Sequence, residues 1–154
     1  MTDLDAPPYH PAHDEPPEYA PTGANARAAR RSSAPPPHDT DAEEAVLGAM
    51  LISAKACEAA LDTGLEPEHF YVTHHAAYYT AICACIIADE PVDTVTVAAR
   101  LPAATTDDRN RLISLVASVP STTNAATYAR RVQHCARLRA VMAGALEAAE
   151  HARS

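Results

Sequence analysis

At 154 residues the chain has room for one domain and a tail, and with no tryptophan and one phenylalanine its core must come mainly from Ala, Val, Leu, Ile and Tyr. Twelve Lys and Arg against twenty Asp and Glu leave a formal net charge of −8, which argues against a general nucleic-acid binder, because neutralising phosphates needs clustered basic residues. There is neither a run of eighteen apolar residues nor a basic N-terminus leading into an apolar stretch, so no membrane span or secretion signal is expected and a cytoplasmic protein is.

Residues 1–37 hold nine of the thirteen prolines and little aliphatic material. Such a segment buries too little apolar surface to offset chain entropy and is expected to be disordered or partly polyproline II. Its acidic front gives way to Arg27, Arg30 and Arg31, which suits a solubilising tail or a docking arm. From Thr40 onward the periodicity is helical. DAEEAVLGAMLIS (41–53) reads as an amphipathic helix, with Thr40 and Glu43 in the S/T-x-x-E capping-box spacing and Val46, Leu47, Met50 and Leu51 on one face. A short helix over about 55–62 should stop at Gly64, which can take the left-handed conformation.

Pro67 then opens a turn, Phe70 and Tyr71 are expected to plug the core, and a helix over about 73–88 should bury Tyr79, Ile82, Cys83 and Ile86. Asp93 caps the next helix, through about Leu101, with Val92 and Val97 placed as a hydrophobic staple. A further helix covers about 107–118. Thr123 to about Ala152 lacks proline and reads as one helix capped by Thr123 or Asn124, with Tyr128, Val132, Cys135, Leu138, Met142, Ala145 and Leu146 as its apolar stripe. At 1.5 Å per residue, thirty residues reach about 45 Å, farther than a domain of this size extends. The distal half therefore needs another partner, although Gly144 weakens it.

The fold expected is all-α: a compact domain of about five to six helices with a long C-terminal helix, preceded by a disordered Pro-rich tail. The parts are 1–37 (tail), 38–120 (helical domain) and 121–154 (long helix). In order, DAEEAVLGAMLIS, LEPEHFYVTHHAAYYTAI (65–82), EPVDTVTVAARL (90–101) and LISLVASVPSTTNAATYARRVQHCARLRAV (112–141) resemble the N-terminal domain of bacterial replicative DNA helicases, the DnaB family, over roughly residues 38–146. One departure is LPAATTDDRNRL, which stands where the family usually carries a Gly-Gly pair and a Tyr-Leu. The resemblance implies a collar domain that packs against copies of itself and meets helicase, primase or loader proteins. It also makes the long helix the first arm of a helical hairpin, whose second arm a partner or a second copy would supply.

Catalysis finds no support in the residues. A phosphate cradle needs G-x-x-x-x-G-K-[ST], but the four glycines stand at 23, 48, 64 and 144 and the only lysine is Lys55, so no Gly-Lys pair exists. Autonomous helicase activity is excluded, and no catalytic residue, cofactor or metal is assigned. Cys83 and Cys85 at i, i+2 diverge on a helix, as do His74 and His75, and His74 with Tyr78 reads as surface packing. His134 beside Cys135 likewise lacks the convergence a nucleophile and base require. The cysteines read as small buried hydrophobes, and Glu43–Glu44, Glu66–Glu68 and Asp107–Asp108 as acidic pairs complementing helix N-termini.

The function expected is a non-catalytic, replication-associated interaction module. Its surface is assigned to Tyr128, Arg131, Val132, Leu138, Val141, Met142 and Leu146, and its partners are a second copy, a replicative helicase, a primase or a helicase loader. The alternative is an accessory or regulatory protein that touches DNA through Arg130, Arg137 and Arg139, a run that can equally be a solvated helix face.

Overall fold

The computed structural model describes residues 34–153. The tail expected over 1–37 lies outside them up to residue 33. Among the described residues all regular structure is helical: α1 (Thr40–Ile52), α2 (Ala54–Leu61), a 3-10 turn (Pro67–His69), α3 (Thr73–Ile87), α4 (Thr94–Ala99), α5 (Thr106–Ser118), a second 3-10 turn (Thr122–Asn124) and α6 (Ala125–His151). None of these helices is long and apolar enough to cross a membrane.

The organising element is α1. Val46, Leu47 and Met50 are fully buried, as the spacing predicts, yet Ala42, Glu43, Ala45, Gly48 and Ala49 on its other sides are buried too. The expected one-sided helix is therefore enclosed nearly all round, because small residues let α2, α3, α5 and α6 close on it from several directions. Gly48 marks the tightest approach: a Cβ there would fall inside contact distance of Leu115 O and Val119 Cγ2 on the α5 side. Since a backbone oxygen cannot move without shifting α5, Gly48→Ala is expected to destabilise the fold by about 2–3 kcal/mol, read as a lower urea midpoint with an unchanged slope.

The caps differ from the spacing-based expectation at two places. The N-cap of α1 is Asp39, whose Oδ1 accepts from Ala42 N at 2.9 Å, and Thr40 is already inside the helix. The capping box assigned to Thr40 and Glu43 instead occurs at α5, where Thr105 Oγ1 accepts from Asp108 N (3.1 Å) and Asp108 Oδ2 accepts from Thr105 N (3.0 Å). At α6, Asn124 occupies the N-cap position without a side-chain hydrogen bond, the preceding 3-10 turn making the transition. Asp93 caps α4 as predicted, accepting from Val95 N and Thr96 N, and Val92 and Val97 both join the core. Gly64 closes α2 with a φ of 75°.

Phe70 is buried, but Tyr71 is 40% exposed and packs outward. Tyr78, expected at the surface with His74, is fully buried, and its hydroxyl donates to Asp108 Oδ1 at 2.7 Å, linking α3 to the start of α5. That bond and the Thr105 contacts hold the Asp108 carboxyl down to about 2, the Thr105 hydroxyl contributing most. Because the folded value lies below the ordinary 3.8, the stabilisation is complete above that range and is lost as pH falls through about 2. Asp108→Asn should therefore destabilise the protein at about pH 5 and differ less from the unsubstituted chain near pH 2, as urea denaturation at the two values would show.

Candidate interaction surface

α6 begins inside the core and ends outside it. Ala125, Ala129 and Val132 are buried, whereas every residue from Ala140 to Arg153 is exposed. Val132 is thus a core residue, at 1% exposure, and cannot be presented to a partner as expected; Tyr128 is partly buried against the same cluster. The stripe opens farther along, with Leu138, Val141, Met142 and Leu146 at 41, 70, 51 and 62% exposure. At 1.5 Å per residue the 27-residue helix runs about 40 Å, so its last turns pass beyond the helices that cover its first half.

Two α6 arginines bind the segment leading into α1. Arg131 pairs with Asp39, its Nε donating to Oδ2 at 2.8 Å and its Nη2 standing 2.6 Å from the same oxygen. Arg139 donates from Nη1 to Pro37 O (2.9 Å) and from Nη2 to His69 O (2.7 Å), with its guanidinium 5.7 Å from the centre of the Tyr71 ring. His38 stacks on the other partner of that contact, Tyr71, at 4.5 Å between centroids. Gln133 adds a bond from Nε2 to Thr63 O at 2.9 Å. The basic run is therefore divided by helical phase. Arg131, itself exposed, and Arg139 bond to the fold, while Arg130 and Arg137, i and i+7 on one face, are exposed and form no ion pair among the described residues. The guanidinium of Arg139, expected as a nucleic-acid contact, already bonds to two carbonyls of the fold.

A second feature lies under α1. Glu43 is 1% exposed, and its carboxylate accepts from Tyr71 N (2.7 Å), Val72 N (3.2 Å) and His75 Nδ1 (2.8 Å). Expected in a capping box at the helix start, it instead reaches across the core and supplies the acceptor that Val72, the N-cap of α3, does not. A Glu in a helix and a His thirty-two residues later carry no spacing signal, so sequence reading missed the pair. The hint was a charged residue beside the Val46–Leu47 apolar face.

The Cys57 thiol is pushed up to about 11, mainly by burial, and donates to Met50 O at 3.1 Å. Among the described residues, no group of three or more His, Cys, Asp or Glu side chains converges to hold a metal.

Known proteins match this arrangement. The family model for the DnaB-like helicase N terminal domain matches residues 35–134. The replicative DNA helicase DnaB of Mycobacterium leprae is 38% identical over 114 residues, which is 68% of this chain and 18% of that protein. Its namesake in Geobacillus stearothermophilus is 34% identical over 119 residues, or 75% of this chain and 26% of that protein. The chain thus spans about a fifth to a quarter of the length of these relatives. In three dimensions it is similar to the N-terminal domain of DnaB helicase from Mycobacterium tuberculosis, with a TM-score of 0.73 and 34% identity over 77% of this chain and 87% of that one. Since the helical order, the buried α1 and the family match over residues 35–134 coincide, the chain belongs to the family of DnaB-like helicase N-terminal domains.

Proposed function

We propose that this chain is a non-catalytic interaction module of DNA replication, which uses the distal half of α6 to associate with itself or with a replicative helicase, primase or helicase loader. The observation that carries this reading is the exposed row Leu138, Val141, Met142 and Leu146 on a helix whose other end is locked into the core. Covering a large apolar side chain is worth roughly 1.5–3 kcal/mol. Scaled by their exposures, the rows of two copies hold the equivalent of about four to five such side chains, or roughly 7–13 kcal/mol before a cost of association that starts at about 4 kcal/mol. The remainder is compatible with a micromolar complex, which needs about 8 kcal/mol. Sedimentation at micromolar concentration, with and without a cognate helicase or primase, tests the reading: a monomer that binds neither partner contradicts it.

Exposed Arg130 and Arg137 support a second reading, an accessory protein that contacts DNA through that face. Salt-sensitive DNA binding removed by Arg130→Ala together with Arg137→Ala would favour it.

A further inference from the structure

A cleft of about 250 Å³ lies between α1, α3 and α5, away from the α6 surface, and Glu44, His74, His75, Tyr78 and Arg111 are among its lining residues. His75 is 3% exposed, yet only one of its ring nitrogens is engaged. Glu43 accepts from two backbone amides besides His75, as an ionised carboxylate does, so Nδ1 carries the proton of the shared bond. In the neutral ring Nε2 is then an acceptor. Among the described residues no group bonds to it, and no sealed side-chain nitrogen or oxygen lacks a partner. Nε2 is therefore unpaired among the described residues, and His75 is one of the residues that line the cleft.

The charges around it select the ligand. From α1, Glu43 stands behind the ring and Glu44 lines the cleft without an ion pair among the described residues. From α5, Asp108 and Arg111 stand 3.8 Å apart and offset each other. From α3, Tyr78 donates to Asp108, and burial holds His74 toward its neutral form. What remains is a negative balance, a carboxylate and a ring acceptor. The cleft is also smaller than the roughly 300–1,000 Å³ of a cofactor or drug-sized site.

We propose that this cleft receives one arginine side chain from a partner protein, with one guanidinium N–H donating to His75 Nε2 and another to the Glu44 carboxylate. The planar guanidinium offers such donors side by side, which the compact lysine ammonium does not.

The test titrates the full chain with N-acetyl-arginine amide while recording the imidazole carbon–proton signals of His75, assigned with the help of His74→Gln. A saturating shift of the His75 signal is expected, absent with N-acetyl-aspartate amide and lost in Glu44→Gln, whose partly exposed position leaves the fold intact by circular dichroism. An unsaturable response, an equal response to the aspartate amide, or unchanged binding in Glu44→Gln overturns the proposal.

Discussion

Glu43→Ala is expected to cost about 3–5 kcal/mol, the scale for leaving several buried donors without their acceptor. The loss is not that of one bond. Tyr71 N, Val72 N and His75 Nδ1 all donate to this carboxylate, so truncation leaves three polar groups short of an acceptor and opens a hole beneath α1. Domains of this size are typically stable by about 5–15 kcal/mol, so the variant should be largely unfolded at modest denaturant, or unfolded outright. Glu43→Gln keeps one acceptor oxygen and should fall between the two. Equilibrium urea denaturation of the three proteins measures this, and a loss below about 1 kcal/mol for the alanine variant would mean that water replaces the carboxylate without penalty.

Leu138→Asp combined with Met142→Asp is expected to convert an oligomer into a monomer with little loss of folded-state stability. Both side chains are about half exposed, at 41 and 51%, and lie one helical turn apart on the distal stretch of α6. In an isolated monomer the two carboxylates stay in water. In a pairing surface each would have to be desolvated without a partner, a cost of several kcal/mol that exceeds the margin of a micromolar complex. Sedimentation velocity across a concentration series should show the unsubstituted chain shifting and the double variant fixed at one subunit, with superimposable circular dichroism. If the double variant still associates, the self-association surface lies elsewhere on the molecule.

The elements of the fold were legible because they rest on local rules. Helical periodicity, the Asp93 cap with its Val92–Val97 staple, and the left-handed turn at Gly64 each involve residues within one or two turns of one another, and each occurs as expected. The family was legible for a related reason, since four ordered segments preserve the sequence of those local signals. Expectations failed where one residue had two uses of similar local merit. Glu43 sits at capping-box spacing from Thr40, but Asp39 one residue earlier already satisfies Ala42 N, which frees Glu43 to turn inward. Tyr78 does pack on His74, at 5.5 Å between ring centroids, but not at the surface, since the arrival of α5 buries it and gives its hydroxyl Asp108.

On α6 the same division separates side chains that follow one helical stripe. An apolar period along Tyr128, Val132, Leu138, Met142 and Leu146 is a property of the chain alone, and it shows that one face of the helix needs cover. Where that cover ends is not encoded in the period. It depends on how far α1, α2 and the Pro67–His69 turn extend alongside the helix, so Val132 is sealed and Leu138 stands 41% open. The arginines follow the same logic: four cations in ten residues are plain in the sequence, but only the approach of Asp39, Pro37 and His69 from distant positions commits Arg131 and Arg139 and leaves Arg130 and Arg137 in water. Short-range signals thus specify the helices and the family. Contacts between residues thirty to a hundred positions apart decide which charged groups are buried, because whether a charge can leave water depends on the partner waiting for it.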